Sequence, residues 1–376
     1  MKKYKLFITL AASLFLTSSC YDLDVYPEDQ LSSGTFFQTQ DHADQIMMGV
    51  YSQMQSDDIF GRQFGLDCLG GIGSGYDPAS YAVIGRGTYN STSGLVTGKF
   101  KNLYEGIARA NILLQNVDRC DMSDELKLRY KAEARFMRAL YYFTLMDFFG
   151  PVPVYDENTI VAEDFMNMLE PRKSLEEVRK FIIDDLDNAD TYLPTEWDAS
   201  NAGRATKAAA MSLKGKVLLY AKEYEAAKEC FEAVVTNKEG KYGEKKLYPD
   251  YAGLFKPGGD ESSEMIFAIQ NIGGVGQDFG MPTTFYMGSR ASYGSCWNNV
   301  MASIDFVDSY ECKNGEPFDW NDYFEGYNEN IDIGEFYQFN LSSCIRQQNS
   351  LTAQFVSFSL ANLANIFYPP PDFYNN

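Results

Sequence analysis

Histidine is almost missing from this 376-residue chain: His42 stands alone, and 32 basic side chains face 52 acidic ones. Each scarcity removes a class of function. One imidazole cannot build a zinc site of several histidines, and a Ser-His-Asp or Cys-His mechanism would have to use His42 or not exist. A formal charge of −20 lacks the clustered Lys and Arg that neutralise phosphate, which argues against nucleic acid as a partner. No C-x-x-C pair occurs among the seven cysteines, so neither a metal ribbon nor a thioredoxin-type redox site is indicated. No apolar run reaches the ~20 residues that a membrane-spanning helix needs. What is present is a hydrophobic share of 45%, normal for a folded chain, and a length beyond what one compact core usually fills. One large domain, or a domain with a sizeable insertion, is expected, and disorder as the main state is excluded.

The first twenty residues assign a compartment. Lys2, Lys3 and Lys5 precede an apolar run from Leu6 to Leu16, and Thr17, Ser18 and Ser19 lead to Cys20. A charged region, a short apolar region and a small-residue cleavage zone make an export signal. Cys20 stands where a bacterial lipobox cysteine belongs, although the usual Leu three places before it is Thr17. Lipid on the Cys20 thiol would give two-chain membrane attachment. Removal of residues 1–19 leaves 29 basic against 52 acidic side chains, and the acidic residues just after Cys20 fit export to the cell surface. The remaining cysteines, Cys68, Cys120, Cys230, Cys296, Cys312 and Cys344, read as buried or incidental thiols, and their spacing gives no pairing.

Periodicity predicts helices. From Thr39, apolar Ile46, Met47, Val50, Tyr51 and Met54 share one face. Leu103, Ile107, Ala110, Leu113, Leu114 and Val117 step by three and four, as do Ala132, Phe136, Ala139, Leu140, Phe143 and Met146, which stop at Gly150 and Pro151. These two form an antiparallel pair. Ser174 with Glu177 is a capping box opening a further helix that runs to Pro194. Between 204 and 236, a helix from Thr206 to about Tyr220 is followed by one from Tyr224 to Val235. Gly215, Ala227, Phe231 and Val234 there have the spacing of a tetratricopeptide unit, with Leu218 in place of the common Tyr and no closing Pro. Met265–Gln270 alternates as a strand would, with Met265, Phe267 and Ile269 on one face.

Two segments break the helical pattern. Residues 57–98 hold ten glycines interleaved with Tyr76, Tyr81 and Tyr89, too many for a long helix. Residues 271–300 are rich in Gly, Tyr and Asn, with Arg290, Tyr293, Trp297 and Asn298 close together. Irregular stretches of this length in a folded domain are usually functional, and both are candidate ligand regions.

Several pieces together resemble the SusD/RagB family of outer-membrane glycan-binding lipoproteins. They are Cys20 with the acidic Tyr-Asp-Leu-Asp stretch, Ile107–Asn111, Ala132–Ala139 running through Phe149-Gly150-Pro151-Val152-Pro153, Gly203–Ala210, the Glu264–Phe267 segment, and Val307–Tyr310 leading to Asn314-Gly315. Order and spacing agree over residues 20–320. The resemblance implies a mostly α fold of tetratricopeptide-like helical hairpins with long irregular loops and a few short strands. It implies no catalysis and no cofactor, and capture of oligosaccharide for a SusC-type TonB-dependent outer-membrane transporter. Residues 1–19 would be the signal peptide, 20–340 the helical domain with loop insertions at 57–98 and 271–300, and 341–376 an atypical, shortened or frameshifted tail. Glu133, Arg135 and Arg138 read as charges bracing a helical hairpin.

Sugars present apolar C–H faces flanked by hydroxyls, so their sites need flat rings for stacking and acid, amide or guanidinium groups for directional bonds. The candidate glycan-binding residues are Asp67, Tyr76, Tyr81, Arg86 and Tyr89 in the first segment, with Asp77 beside them, and Arg290, Tyr293, Trp297 and Asn298 in the second. Trp297 is the strongest single candidate, since a large ring in a Gly/Asn setting has few apolar neighbours in sequence. Two other readings stand beside this one. A glycoside hydrolase could use a carboxylate pair, although Asp57-Asp58 and Asp184-Asp185 read as solvated helix-end or helix-face charge. A peptide-binding helical scaffold would leave both glycine-rich loops inert.

Overall fold

A computed structural model describes residues 36–75, 81–159, 169–256, 258–259, 262–271, 286–287, 299–303, 305–306, 309–311 and 315–316. Six helices carry the fold: α1 (Gln40–Ser52), α2 (Gly94–Asn116), α3 (Asp124–Phe149), α4 (Leu175–Tyr192), α5 (Lys207–Tyr220) and α6 (Tyr224–Thr236). Four of the six starts carry a side-chain cap. Thr39, Ser123 and Thr206 each accept a first-turn amide through their hydroxyls, and Ser174 and Glu177 form a reciprocal capping box. α3 stops where Gly150 turns to φ +68° ahead of Pro151, which has no amide proton to continue the ladder.

Successive helices pack against one another, α2 on α3, α3 on α4, α4 on α5 and α5 on α6, while α1 lies across α2 and α3. Close crossings depend on glycine. A β-carbon on Gly106 would stand 2.6 Å from the Tyr141 ring, and one on Gly215 would stand 2.7 Å from the Phe231 ring. The predicted tetratricopeptide spacing is thereby realised at α5–α6. The antiparallel pairing of α2 with α3 follows from the short connection Val117–Ser123 and its 3-10 turn. The main core gathers Met47, Val50, Leu103, Ile107, Phe136, Met137, Tyr141, Ile182 and Leu186 from four helices. Among the described residues no helix is long and apolar enough to cross a membrane.

Two buried ionic networks tie these layers. Arg138 is bonded at two points to Asp185, both at 2.8 Å, and donates to Asn111 and Glu157, both at 2.6 Å. Arg204 grips Glu133 at two points, both at 2.8 Å, and Tyr51 donates its hydroxyl to the same carboxylate at 3.0 Å. Glu133 and Arg138 thus brace neighbouring helices. Burial works against the Arg138 charge, but Asp185 and Glu157 outweigh it and lift the guanidinium above its ordinary pKa. Burial likewise disfavours the Glu157 carboxylate, yet Arg138 holds it at about 2.

Three expectations are corrected. Asp185 is not solvated helix-face charge: it is buried and neutralised by Arg138, whereas its neighbour Asp184 is exposed beside Lys180. Met265–Gln270 forms no ladder with any described strand; Ile266, Phe267 and Ile269 all pack on the helical core, so helices rather than a neighbouring strand satisfy its apolar residues. The loop segment expected at 57–98 ends earlier, because α2 begins at Gly94, and its described residues before that include short helical turns and a three-residue strand. The leader, Cys20 and the tail 341–376 lie outside the described residues.

Candidate functional site

Residues 57–75 fold as a chain of tight turns. A single π-helical turn (Asp57–Gly61) is followed by a 3-10 segment (Gln63–Leu69), then by strand β1 (Gly73–Gly75). β1 pairs antiparallel with β2 (Val300–Ala302), placing Gly73 opposite Ala302, Ser74 opposite Met301 and Gly75 opposite Val300. The ladder extends through the Ser303 amide, which donates to Ile72 O at 2.8 Å, and through the Ser303 hydroxyl, which donates to Gly71 O. Arg86 donates to Gly75 O, pinning the helical turn Ala82–Gly85 to the same strand. Phe64 and Tyr286 stack at 5.5 Å, with Arg62 laid over the Tyr286 ring at 5.0 Å. The first glycine-rich segment therefore meets Tyr286 and Val300 of the second, some 200 residues away in sequence, in one loop cluster.

The cluster is seated on α2. Lys99, 2% exposed, donates to Ile59 O at 3.1 Å and lies 4.4 Å from the Phe148 ring and 5.5 Å from that of Tyr81. Burial pulls the Lys99 ammonium down to about 8, against the opposing pull of Asp58 and Asp147. Asp58 accepts from Asn102 at 3.0 Å and is pushed up by burial, so it is a seat of the loop rather than the solvated charge expected for Asp57-Asp58. Asp57 pairs with Arg62 at 2.8 Å.

The predicted site residues separate on this frame. Tyr81 is withdrawn as a stacking ring: it is 1% exposed, and its hydroxyl donates to Asp58 O at 3.2 Å. Arg86 is exposed at the cluster edge, where its guanidinium ties down β1. Tyr89 presents a ring 49% exposed. Asp67 is half-buried against Gly73, and burial alone raises its pKa. Tyr76, Asp77, Arg290, Tyr293, Trp297 and Asn298 lie outside the described residues. Sequence reasoning missed the Phe64–Tyr286–Arg62 stack and the Lys99 seat. Their partners are remote in sequence, and no local spacing announces them.

A shallow groove of about 360 Å³ on α5–α6, lined by Leu219, Tyr224, Ala227, Phe231 and Val235, contains none of the predicted site residues. Its apolar walls offer little to orient hydroxyls. The loop cluster, where rings, a carboxylate and a guanidinium converge, has the chemistry a polar ligand requires.

A family profile described as "Starch-binding associating with outer membrane", SusD-like, matches residues 22–219, from before α1 to the end of α5 and through the whole first loop. The chain belongs to the SusD-like family. SusD-like protein P25 of Formosa agariphila is 26% identical over 303 residues, covering 73% of this chain and 56% of that protein. A SusD-like protein of Bacteroides fragilis superposes with a TM-score of 0.66 at 21% identity, over 83% of this chain and 60% of the other. The surface glycan-binding protein A of Bacteroides thetaiotaomicron, solved in complex with laminarihexaose, gives a TM-score of 0.58 at 20% identity, over 73% and 61%. The chain spans somewhat over half the length of the curated relatives it matches. The SusD-like fold is thus the mostly helical architecture that the resemblance implies.

Proposed function

We propose that this SusD-like protein is a non-catalytic surface lipoprotein that binds oligosaccharide at the loop cluster and hands it to a SusC-type TonB-dependent outer-membrane transporter. The observation that carries the reading is the β1–β2 clasp, which joins both ligand-type segments on a rigid helical seat. Binding loops held by such a scaffold keep their geometry without an ordering cost on each encounter. Tyr89 offers a stacking face and Asp67 open acceptor positions for hydroxyls; Tyr76, Arg290, Tyr293, Trp297 and Asn298 complete the proposed contact set. Attachment is assigned to lipid on Cys20.

Support for glycan binding comes from the family description and from a laminarihexaose complex on the same fold. Two of the most buried acids, Glu133 and Asp185, are each locked onto an arginine, which suits bracing rather than proton transfer to a sugar. Affinity electrophoresis of the mature protein across a polysaccharide panel tests the reading. Retardation without released sugar is the expected result, and Trp297→Ala should abolish it while leaving a helical circular dichroism spectrum. Unchanged retardation would remove Trp297 from the site, and released reducing ends would replace a binder with a hydrolase.

A further inference from the structure

We infer that Lys99 is a positioning residue for the ligand: its buried ammonium fixes both ends of the first loop on α2, and glycan affinity depends on that charge although Lys99 never touches the sugar. This rests on the glycan reading and adds to it the side chain that holds the site in shape.

Lysine is a poor choice for a space that merely needs filling. Lys99 is buried, and among the described residues its three N–H donors meet one acceptor, Ile59 O, with no carboxylate in ion-pair contact. An ammonium answered so sparsely lowers stability, and methionine, of similar reach, would fill the same volume without a charge to desolvate. Stability given up at one point is a common mark of a functional site.

The contacts of Lys99 lead to both halves of the clasp. Ile59 belongs to the π-helical turn Asp57–Gly61, and the next residue, Arg62, pairs with Asp57 and lies over Tyr286 of the second segment. Tyr81, whose ring Lys99 faces, opens the turn Ala82–Gly85, and the residue after that turn, Arg86, holds Gly75 O of β1. Phe148 brackets the ammonium from α3. All of these contacts need the charge, since a charged donor makes the stronger hydrogen bond and ring faces attract a cation rather than a neutral amine. Asp58 from the loop and Asp147 from α3 favour the ammonium, against burial. Asp58 is itself faced by Asp57 and Arg62, Asp147 by Lys216 of α5, and the Tyr81 phenol is kept protonated by its own burial.

The test compares wild type with Lys99→Met, both as the full-length mature protein, in gels holding a polysaccharide that retards the wild type and in urea unfolding at neutral pH. The variant is expected to bind at least about fivefold more weakly while unfolding at an equal or higher urea concentration, a split that loss of folding cannot produce. A second measurement leaves the wild type intact. Raising the pH through the Lys99 value of about 8 should weaken wild-type binding and leave that of Lys99→Met unchanged, because only the wild type has this proton to lose. Wild-type affinity in Lys99→Met, weaker binding that merely follows a lower unfolding midpoint, or parallel pH profiles of affinity would overturn the assignment and leave the glycan reading standing. Retardation of the wild type by no polysaccharide of the panel would overturn both.

Discussion

Lys99 is held where a lysine is costly. Its ammonium is almost without solvent, bonded to one carbonyl and bracketed by the Phe148 and Tyr81 rings, and burial brings its pKa from 10.5 to about 8. The folded chain therefore releases this proton at lower pH than the unfolded chain does. Its contribution to stability rises as pH climbs through about 8 and levels off near the unfolded value. Between pH 7 and 9.5 the wild type should gain roughly 2 kcal/mol relative to Lys99→Met, measured as paired urea unfolding midpoints. Parallel pH profiles for the two proteins would show that the ammonium is solvated. Arg138 presents the opposite case, a buried charge fully answered by Asp185 and Glu157. Arg138→Met should cost about 3–5 kcal/mol by stranding Asp185, and the double change Arg138→Met with Asp185→Leu should recover most of it. Equal loss in the single and double variants would mean that the pair contributes packing alone.

At the scale of elements, the crossing of α2 with α3 is set by one missing methyl. Tyr141 is fully buried and donates its hydroxyl to Val50 O at 2.6 Å, so its ring cannot yield to a β-carbon at Gly106 that would stand 2.6 Å away. Gly106→Ala should lower stability by about 1–3 kcal/mol. Gly49→Ala in α1, with nothing within 4 Å of the added carbon, should raise it by about 0.5–1 kcal/mol. Thermal unfolding of both variants separates a packing requirement from helix propensity, and two stabilising substitutions would refute the close crossing. The helices were legible in sequence because each carries its own signals: Ser174 and Glu177 cap α4, Gly150 and Pro151 end α3, and the Gly215–Phe231 spacing marks α5–α6. β1 was not legible, since Gly-Ser-Gly has no strand propensity and becomes a strand only because Val300–Ala302 arrives beside it. Met265–Gln270 misled for the converse reason. Alternation reports burial, and there the burying surface is helical.

For the whole molecule, the clasp brings Gly73–Gly75 against Val300–Ala302, so that two segments distant in sequence meet, and composition alone pointed to both. What composition could not tell is which rings face outward. Tyr81 and Tyr89 share the same glycine-rich setting, yet one is sealed beneath the loop by Lys99 and Asp58, and the other is exposed. Tyr89→Ala should accordingly weaken binding to a retarding polysaccharide by about tenfold, the loss of one stacked ring at ~1–2 kcal/mol, with an unchanged melting temperature. Tyr81→Phe should leave affinity within about twofold and lower stability by ~1 kcal/mol, the net worth of its hydroxyl bond. The reverse pattern would place Tyr81 at the ligand. The most direct measurement is hydrogen–deuterium exchange of the full-length mature protein with and without an oligosaccharide cut from a polysaccharide that retards it. Protection should appear together in 57–98 and 271–300 and leave α4 to α6 unchanged. Protection confined to the α5–α6 groove, or to one loop without the other, would contradict a shared binding surface.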